Sequence, residues 1–303
     1  MKLLLTGFAG FTENQREKLE NLGFDIEFLK DERQACNYDV SDVDCLVCNN
    51  LFSYKNIEEF KKLKFVQLIS AGTDRIDTKV LAEKGIVLKN ARGVYSKPIA
   101  EHIMMCVLCF YKNYHFYYEN QKKAIWQKQR TVFELAGKNV LVFGTGSIAC
   151  ETAKRFSAFD CKVFGVNKSG NKVQYFDDVF KNDDFESVLK NSDIIVSTLP
   201  LSEDTKHFFN KDFFDKVKKE SLFVNVSRGS VVDENSLLYA LDENLIAGAV
   251  LDVFENEPLS ETSELWKNKK VIVTPHNSFV GENNNRRLFA LAYENLKCFL
   301  EEV

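Results

Sequence analysis

The chain has 303 residues, of which 45% are hydrophobic, and its 40 basic and 44 acidic residues leave a formal net charge of -4. A chain of this length can bury a sizeable core and favours two domains over one. Its nearly balanced charge argues against a nucleic-acid partner, so small-molecule chemistry is the better expectation.

The amino-terminal segment is interpreted as a buried strand rather than a signal peptide. Its apolar residues stop at Thr6 and Gly7, and the chain becomes polar from Thr12 onward. Nowhere does the sequence contain the roughly 18 consecutive apolar residues that span a bilayer. We therefore expect a cytoplasmic protein without a membrane partner.

The first part of the chain alternates apolar runs with polar helical stretches such as 13–22 and 57–63. The apolar runs are 2–5, 25–29, 43–48, 65–69 and 86–88. This β-α alternation predicts a first parallel sheet that closes near residue 90.

Eight cysteines include two C-x-x-C pairs, Cys45 with Cys48 and Cys106 with Cys109. Such pairs can bind zinc or form a redox pair. However, the first pair lies in a predicted strand, where residues three apart point to opposite faces, and the second lies in an apolar helical stretch. We predict buried free thiols in a reducing compartment and no metal site.

A long helix is predicted to begin after Pro98 and to continue through the aromatic-rich segment 110–118. The aromatic residues fit either a core stripe or a subunit interface, and the sequence leaves both interpretations open.

A second β-α series starts at Asn139. Its predicted strands are 139–143, 161–166, 193–198, 222–226, 246–251 and 271–274. Six strands with helical segments between most of them predict a nucleotide-binding domain, and 284–300 forms a final amphipathic helix.

The first strand of this series ends in the pattern Gly144-x-Gly146-x-x-Ala149, and helical spacing follows. Gly144 would allow a tight turn and Gly146 a close approach of phosphate. The first N–H groups of the helix, beginning at Ser147 and Ile148, would face the anion. Taken alone, the pattern also fits an ordinary strand-to-helix turn.

Three later strands deliver charged groups at their ends, namely Arg228, the acidic segment 252–257 and His276. Strand carboxyl ends face the ligand crevice of an open α/β sheet, so these groups should converge. Arginine offers a fork for a carboxylate, and a histidine beside an acid can donate a proton near neutral pH.

Taken together, these stretches resemble the D-isomer-specific 2-hydroxyacid dehydrogenase family nearly end to end. Further motifs carry the resemblance at 70–77, 90–93 with 100–102, 197–205, 224–233 and 248–258. The resemblance implies an α/β fold of two doubly wound parallel-sheet domains, with a Rossmann domain inserted into a flavodoxin-like one. We expect a substrate domain at 1–96 plus 282–303, a dinucleotide-binding domain at 97–281, and no added regulatory domain.

The resemblance also implies residue roles. Arg228 would hold the 2-oxo acid, His276 would donate a proton to its carbonyl oxygen, and Glu257 would orient the imidazole and favour its charged form. Backbone N–H groups around Ala71 and Gly72 would bind the substrate carboxylate. Glutamate at 257 argues against formate dehydrogenase, which has glutamine there. The implied cofactor-binding residues are Gly144, Gly146, Ser147, Ile148, Asn167, Lys168, Ser169, Leu199, Pro200, Thr205, Val226, Ser227 and Asp252.

The end of the second nucleotide-domain strand departs from the family pattern. NAD-using members usually place an acid there to bind the ribose hydroxyls, whereas this chain has Asn167-Lys168-Ser169. A cation and a hydroxyl can bind a 2′-phosphate, so we predict a preference for NADP(H), with NAD(H) also possible. These residues also fit an unselective turn.

The leading functional hypothesis is an NADPH-dependent reductase of small 2-oxo acids such as glyoxylate or hydroxypyruvate, working as a homodimer. One alternative is an NAD(H)-sensing protein similar to the C-terminal-binding transcriptional corepressors, although this chain lacks their extended tails. The other is an NAD-linked phosphoglycerate dehydrogenase, for which Arg75 and Arg92 could contact the substrate phosphate. Fold alone cannot separate these hypotheses.

Overall fold

The computed structural model describes residues 1–302, with the side chains of 35–37 excepted. They form two compact units, one comprising Met1–Tyr95 with the residues from Gly281 onward, and the other Ser96–Val280. The second unit is thus inserted between two segments of the first.

The helices are α1 (Glu13–Glu20), α2 (Thr78–Glu83), α3 (Ser96–Tyr111), α4 (Tyr114–Lys122), α5 (Ser147–Ser157), α6 (Glu186–Leu189), α7 (Lys211–Phe214), α8 (Glu234–Asp242) and α9 (Asn284–Glu302). Local signals define several of their starts. A capping box of Thr12 and Gln15 begins α1, and the carboxylates of Asp77 and Asp233 cap α2 and α8. Among the described residues, no helix is both long and apolar enough to cross a membrane.

A five-stranded sheet forms the centre of the first unit. Its strands are β1 (Lys2–Thr6), β2 (Asp25–Leu29), β3 (Cys45–Cys48), β4 (Phe65–Leu68) and β5 (Val87–Lys89). They are parallel and run in the order β2-β1-β3-β4-β5, which is the flavodoxin-like order. The predicted strands are confirmed to within two residues at each end.

Both faces of this sheet are buried, as a parallel sheet covered by helices requires. Cys45 packs in one hydrophobic cluster together with Leu296 of α9, whereas Cys48 packs in the cluster on the other face. The prediction that this C-x-x-C pair points to opposite faces is therefore confirmed.

The buried thiols of β3 should resist chemical modification in the native protein. Burial raises the pKa of Cys45 to about 12 and the pKa of Cys48 well above its usual range. Since the thiolate is the nucleophile, both should stay unlabelled by iodoacetamide at neutral pH, while the exposed Cys298 is labelled. Peptide mass spectrometry before and after denaturation measures this, and rapid native labelling of Cys45 or Cys48 would show that β3 is not buried.

A seven-stranded parallel sheet forms the second unit. Its strands are β6 (Asn139–Phe143), β7 (Lys162–Asn167), β8 (Asp178–Lys181), β9 (Ile194–Ser197), β10 (Ser221–Asn225), β11 (Ile246–Leu251) and β12 (Val271–Val273). The strands run in the order β12-β11-β10-β9-β6-β7-β8. Strands β6 to β8 are added towards one edge of the sheet and β9 to β12 towards the other, so the topological switch point lies between β6 and β9, as in a Rossmann fold. The predicted two-domain α/β fold is confirmed.

Two details of the second unit differ from the prediction. The sequence predicts six strands, but Asp178–Lys181 adds a seventh at the edge of the sheet. The predicted long helix is also interrupted, because Asn113 adopts a left-handed conformation with φ of 52° between α3 and α4. Asparagine tolerates this conformation better than most residues, so the chain can change direction there.

A cluster of phenylalanines supports the strand at the switch point of this sheet. Phe143, fully buried at the end of β6, packs edge-on against Phe185, Phe209 and Phe213, with ring centroids 5.0, 5.2 and 5.5 Å away. Edge-to-face aromatic pairs contribute beyond their buried area, by about 0.5–1.5 kcal/mol each. This packing fixes the end of β6, and so the start of the glycine turn that follows Phe143.

Candidate active site

The glycine turn after β6 permits an approach of backbones that a side chain would block. Gly144 has a φ of 91°, and a Cβ placed on it would lie 2.7 Å from Oγ1 of Thr198, at the end of neighbouring β9. Thr198 is held there by hydrogen bonds from its backbone N and its Oγ1 to the carbonyl oxygen of Phe143, both 2.9 Å long. Glycine is therefore required at 144.

The turn leads into the amino terminus of α5, which can bind an anion. Gly146 precedes Ser147 as the N-cap and supplies no side-chain cap, and a Cβ on Gly146 would meet no atom within 4 Å. The first N–H groups of the helix, from Ser147 and Ile148 onward, thus face open space at its positive end. This geometry fits the pyrophosphate of a dinucleotide.

The loop after β7 is shaped by Asn167. Its Oδ1 accepts the backbone N–H groups of Ser169 and Gly170, at 3.0 and 2.6 Å, and its Nδ2 donates to Oγ1 of Thr145 at 3.0 Å. Because these hydrogen bonds use both the oxygen and the nitrogen of the side-chain amide, Asn167 stabilises the conformation of the loop. The Nζ of Lys168 lies 3.3 Å from Oδ2 of Asp204. Because both side chains are exposed, the ammonium group is still accessible to a ligand.

The loop after β9 is likewise closed by its own side chains. Oγ1 of Thr205 donates to the carbonyl oxygen of Pro200 at 2.6 Å and accepts the N–H of Ser202 at 2.8 Å. Leu199 packs partly against the core of the unit. Thr205 thus shapes the loop predicted to contact the cofactor.

Arg228 follows β10, in a segment where the backbone is tightly constrained. A Cβ on the next residue, Gly229, would lie 1.8 Å from the carbonyl carbon of Phe254, so these two loops touch through their backbones. Asn225 donates from Nδ2 to the carbonyl oxygen of Arg228 at 3.0 Å, and Nη1 of Arg228 donates to the carbonyl oxygen of Ser227 at 2.8 Å. The guanidinium is therefore held close to its own strand end. Val226 and Ser227 are buried beside it.

His276 and Glu257 form the paired acid and imidazole that the sequence predicts. Nδ1 of His276 lies 2.7 Å from Oε2 of Glu257, while Oε1 of Glu257 accepts the N–H of Phe254 at 3.0 Å. A carboxylate accepts, so Nδ1 carries the proton and Nε2 is the nitrogen directed elsewhere. Both side chains are 35% exposed, so the pair is accessible from solvent.

Arg228, Glu257 and His276 follow three consecutive strands of the sheet, β10, β11 and β12. Carboxyl ends of parallel strands meet at one edge, where the glycine turn after β6 also lies. A cation, a carboxylate and an imidazole are therefore arranged along the edge that binds the dinucleotide in this fold. Together they can bind an anionic substrate and transfer a proton.

Asp252 lies at the end of β11 and is fully buried. Its carboxylate bonds Thr274, Asn277 and Ser278, around the turn that carries His276. The predicted contact of Asp252 with cofactor stays a prediction. Sequence reasoning missed that His102 and Thr274 lie beside this carboxylate, because no motif links α3 to β12.

The loop that contains Ala71 and Gly72 belongs to the first unit and follows β4. Their carbonyl oxygens accept bonds from Asn90 and Ser70, both 2.8 Å long. Within residues 1–302, the N–H groups of Ala71 and Gly72 have no hydrogen-bond partner. Such donors can bind a carboxylate.

No group of three or more His, Cys, Asp or Glu side chains in the described part of the chain is arranged to hold a metal ion. Cys106 lies buried on α3, and Cys109 is partly exposed.

Comparison with known proteins identifies the family. Residues 104–278 match the D-isomer specific 2-hydroxyacid dehydrogenase, NAD binding domain. The chain is 30% identical over 278 residues to glyoxylate reductase of Thermofilum pendens, covering 89% of this chain and 82% of that protein.

Solved structures agree with this match. A D-isomer specific 2-hydroxyacid dehydrogenase family protein from Aeromonas salmonicida superposes with a TM-score of 0.85 at 28% identity, covering 99% of this chain and 96% of the other. NADPH-dependent glyoxylate/hydroxypyruvate reductase from Sinorhizobium meliloti, in complex with NADP and sulfate, gives 0.80 at 26% identity, covering 100% and 96%. The chain therefore belongs to the D-isomer-specific 2-hydroxyacid dehydrogenase family and is an NAD(P)-dependent dehydrogenase of that family.

Proposed function

We propose that this enzyme reduces a small 2-oxo acid to the D-2-hydroxy acid, with NADPH as the preferred hydride donor. The observation that carries the proposal is the 2.7 Å pair of His276 and Glu257, which follow β12 and β11, while Arg228 follows β10, the next strand of the sheet. Reduction of a carbonyl needs a proton donor at the oxygen and a positive charge to hold the anionic substrate, and these residues can supply both.

When bound, the nicotinamide supplies a hydride from C4 to the carbonyl carbon, and the protein contributes position and charge. Nε2 of a protonated His276 donates its proton to the carbonyl oxygen, while Glu257 holds Nδ1 and compensates the positive charge. Arg228 binds the substrate and polarises its carbonyl through its planar fork. The N–H groups of Ala71 and Gly72 are the proposed carboxylate donors.

The residues around the turn after β6 fit a dinucleotide. Gly144 and Gly146 have no side chain that would cover the backbone, and the amino terminus of α5 has no side-chain cap. The pyrophosphate would bind at Ser147 and Ile148, because both its charge and its oxygens match the exposed N–H groups. The loops around Asn167 and Thr205 would line the adenosine and nicotinamide parts.

The NADPH preference rests on Lys168 and Ser169, which stand where an acid would bind the ribose of NAD. Lys168→Glu should raise the Kd for NADPH about tenfold and leave the Kd for NADH nearly unchanged, because a 2′-phosphate loses a cation and meets an anion. Titration of each cofactor by fluorescence measures both constants. The matched control is Lys162→Glu, which makes the same charge change at the opposite end of β7. Equal effects on both cofactors would refute the assignment.

We also propose a homodimer in the cytosol. The segment around α4 exposes several aromatic side chains, among them Tyr114, Tyr118 and Trp126, the last of which is 95% exposed. Aromatic residues of this kind are enriched in the cores of protein interfaces. The free thiols fit a reducing compartment. Light scattering on the purified protein tests the dimer, and a monomer at micromolar concentration would contradict it.

Product analysis tests the reaction itself. The protein is incubated with NADPH or with NADH and, separately, with glyoxylate, hydroxypyruvate, pyruvate, 2-oxobutyrate, phenylpyruvate and phosphohydroxypyruvate, and each product is separated on a chiral column. Formation of the D-2-hydroxy acid from the substrates that give a chiral product supports the proposal, whereas an L product contradicts it. Selective use of phosphohydroxypyruvate with NADH would instead favour phosphoglycerate dehydrogenase.

A further inference from the structure

The turn that carries His276 has an unusual backbone. His276 adopts a left-handed conformation with φ of 49°, which is uncommon for a residue other than glycine. Its N–H donates to the carbonyl oxygens of Asp252, at 2.8 Å, and Thr274, at 3.1 Å. Such a backbone conformation persists only where surrounding contacts stabilise it. The contacts that stabilise this turn therefore also fix the position of the His276 imidazole.

The carboxylate of Asp252 sits inside this turn. Oδ1 accepts the hydroxyl of Thr274 at 2.6 Å and the N–H of Asn277 at 2.9 Å, and Oδ2 accepts the N–H of Ser278 at 2.9 Å. Asp252 is 0% exposed, and a buried carboxylate needs such donors. The turn is thus wrapped around a buried anion by groups on both sides of His276.

His102 of α3 completes the chain of hydrogen bonds from outside the sheet. Its Nε2 lies 3.1 Å from Oγ1 of Thr274, with Sγ of Cys106 3.5 Å from the same nitrogen. Because the Thr274 hydroxyl proton points to Asp252, the oxygen can accept from His102, which requires the proton on Nε2. Burial lowers the pKa of His102, with a smaller opposing effect from Asp252, so the neutral ring acts as this donor.

We propose that His102 and Thr274 are positioning residues for the reduction, acting through the hydrogen-bond chain His102–Thr274–Asp252 on the turn that presents His276. This inference rests on the proposed role of His276 as proton donor. Neither residue is required to touch substrate. These hydrogen bonds couple α3, which packs against α5, to the turn that carries the reactive imidazole. His102 and Thr274 are 172 residues apart in the sequence.

Two pairs of variants test the proposal. Thr274→Val keeps the shape but removes the hydroxyl, and Thr274→Ser retains it. His102→Leu removes the donor, and His102→Gln supplies an amide N–H at similar reach. We expect T274V and H102L each to lower kcat about 10- to 100-fold, because small displacements of a reacting group cost this much. T274S and H102Q should retain most of the rate.

Rates are expressed per bound NADPH, so that a loss of folded protein is not counted as a loss of catalysis. Hydrogen exchange of a peptide covering 274–280 is measured in parallel and does not depend on turnover. Faster exchange in T274V than in T274S supports the hydrogen-bond chain even if the wild type reduces no 2-oxo acid, in which case the proposed function fails instead. Unchanged exchange and kcat in T274V and H102L would overturn the inference.

Discussion

His276→Gln should lower kcat for 2-oxo acid reduction about 10³-fold, within the 10²- to 10⁴-fold range of general acid catalysis. The amide can reach Glu257 but cannot carry the positive charge or release a proton to the carbonyl oxygen. The Kd for NADPH should change little, because the glycine turn and α5 follow β6 rather than β12.

Steady-state kinetics and a cofactor titration on the same preparation separate these two effects. His115→Gln is the matched control, since His115 is exposed on α4 and has no part in the proposed chemistry. A variant H276Q that keeps the wild-type kcat would remove His276 as proton donor. Loss of NADPH binding together with kcat would point to a misfolded second unit.

Arg228→Lys should lower kcat/KM for the 2-oxo acid about 10²- to 10³-fold. An ammonium keeps the charge but has no planar fork, so it cannot contact the carbonyl and carboxylate oxygens in the same geometry. Nη1 of Arg228 is also anchored to the carbonyl oxygen of Ser227 at 2.8 Å, and a lysine would lose this orientation.

The variant R228K is compared with Arg33→Lys, which makes the same exchange at a side chain that is 69% exposed and paired with Asp31. KM for the 2-oxo acid should rise in R228K while the Kd for NADPH stays within about twofold of the wild type. If kcat/KM is unaffected, the guanidinium does not bind substrate. If only the cofactor constant changes, Arg228 belongs to the dinucleotide site.

Much of the fold was predictable because parallel strands buried on both faces read as short apolar runs. The runs at 139–143 and 246–251 match β6 and β11 in both bounds. Strand β8 was missed, because only Val179 of its four residues is buried and an edge strand leaves a weak apolar signal. The break between α3 and α4 at Asn113 was missed, because the spacing of apolar residues does not show that a single residue adopts a left-handed conformation.

The candidate site was predictable where it depends on strand ends. Arg228, Glu257 and His276 were placed together because three strands each deliver a charged group, and the order of the sheet makes those strands neighbours. The functions of Asn167 and Thr205 within their own loops were not predictable, since side-chain bonds to nearby backbone depend on the loop conformation. The bond from His102 to Thr274 joins distant segments that no periodicity connects.

The central claim is that this chain reduces 2-oxo acids with His276 as proton donor. Its most direct test is the initial rate of oxidation of NADPH and of NADH, side by side, for the wild type and H276Q with the same set of 2-oxo acids. We expect turnover that prefers NADPH in the wild type and nearly vanishes in H276Q while NADPH still binds. Wild-type protein that binds either cofactor but turns over none of the acids would contradict the claim and favour a dinucleotide-sensing protein.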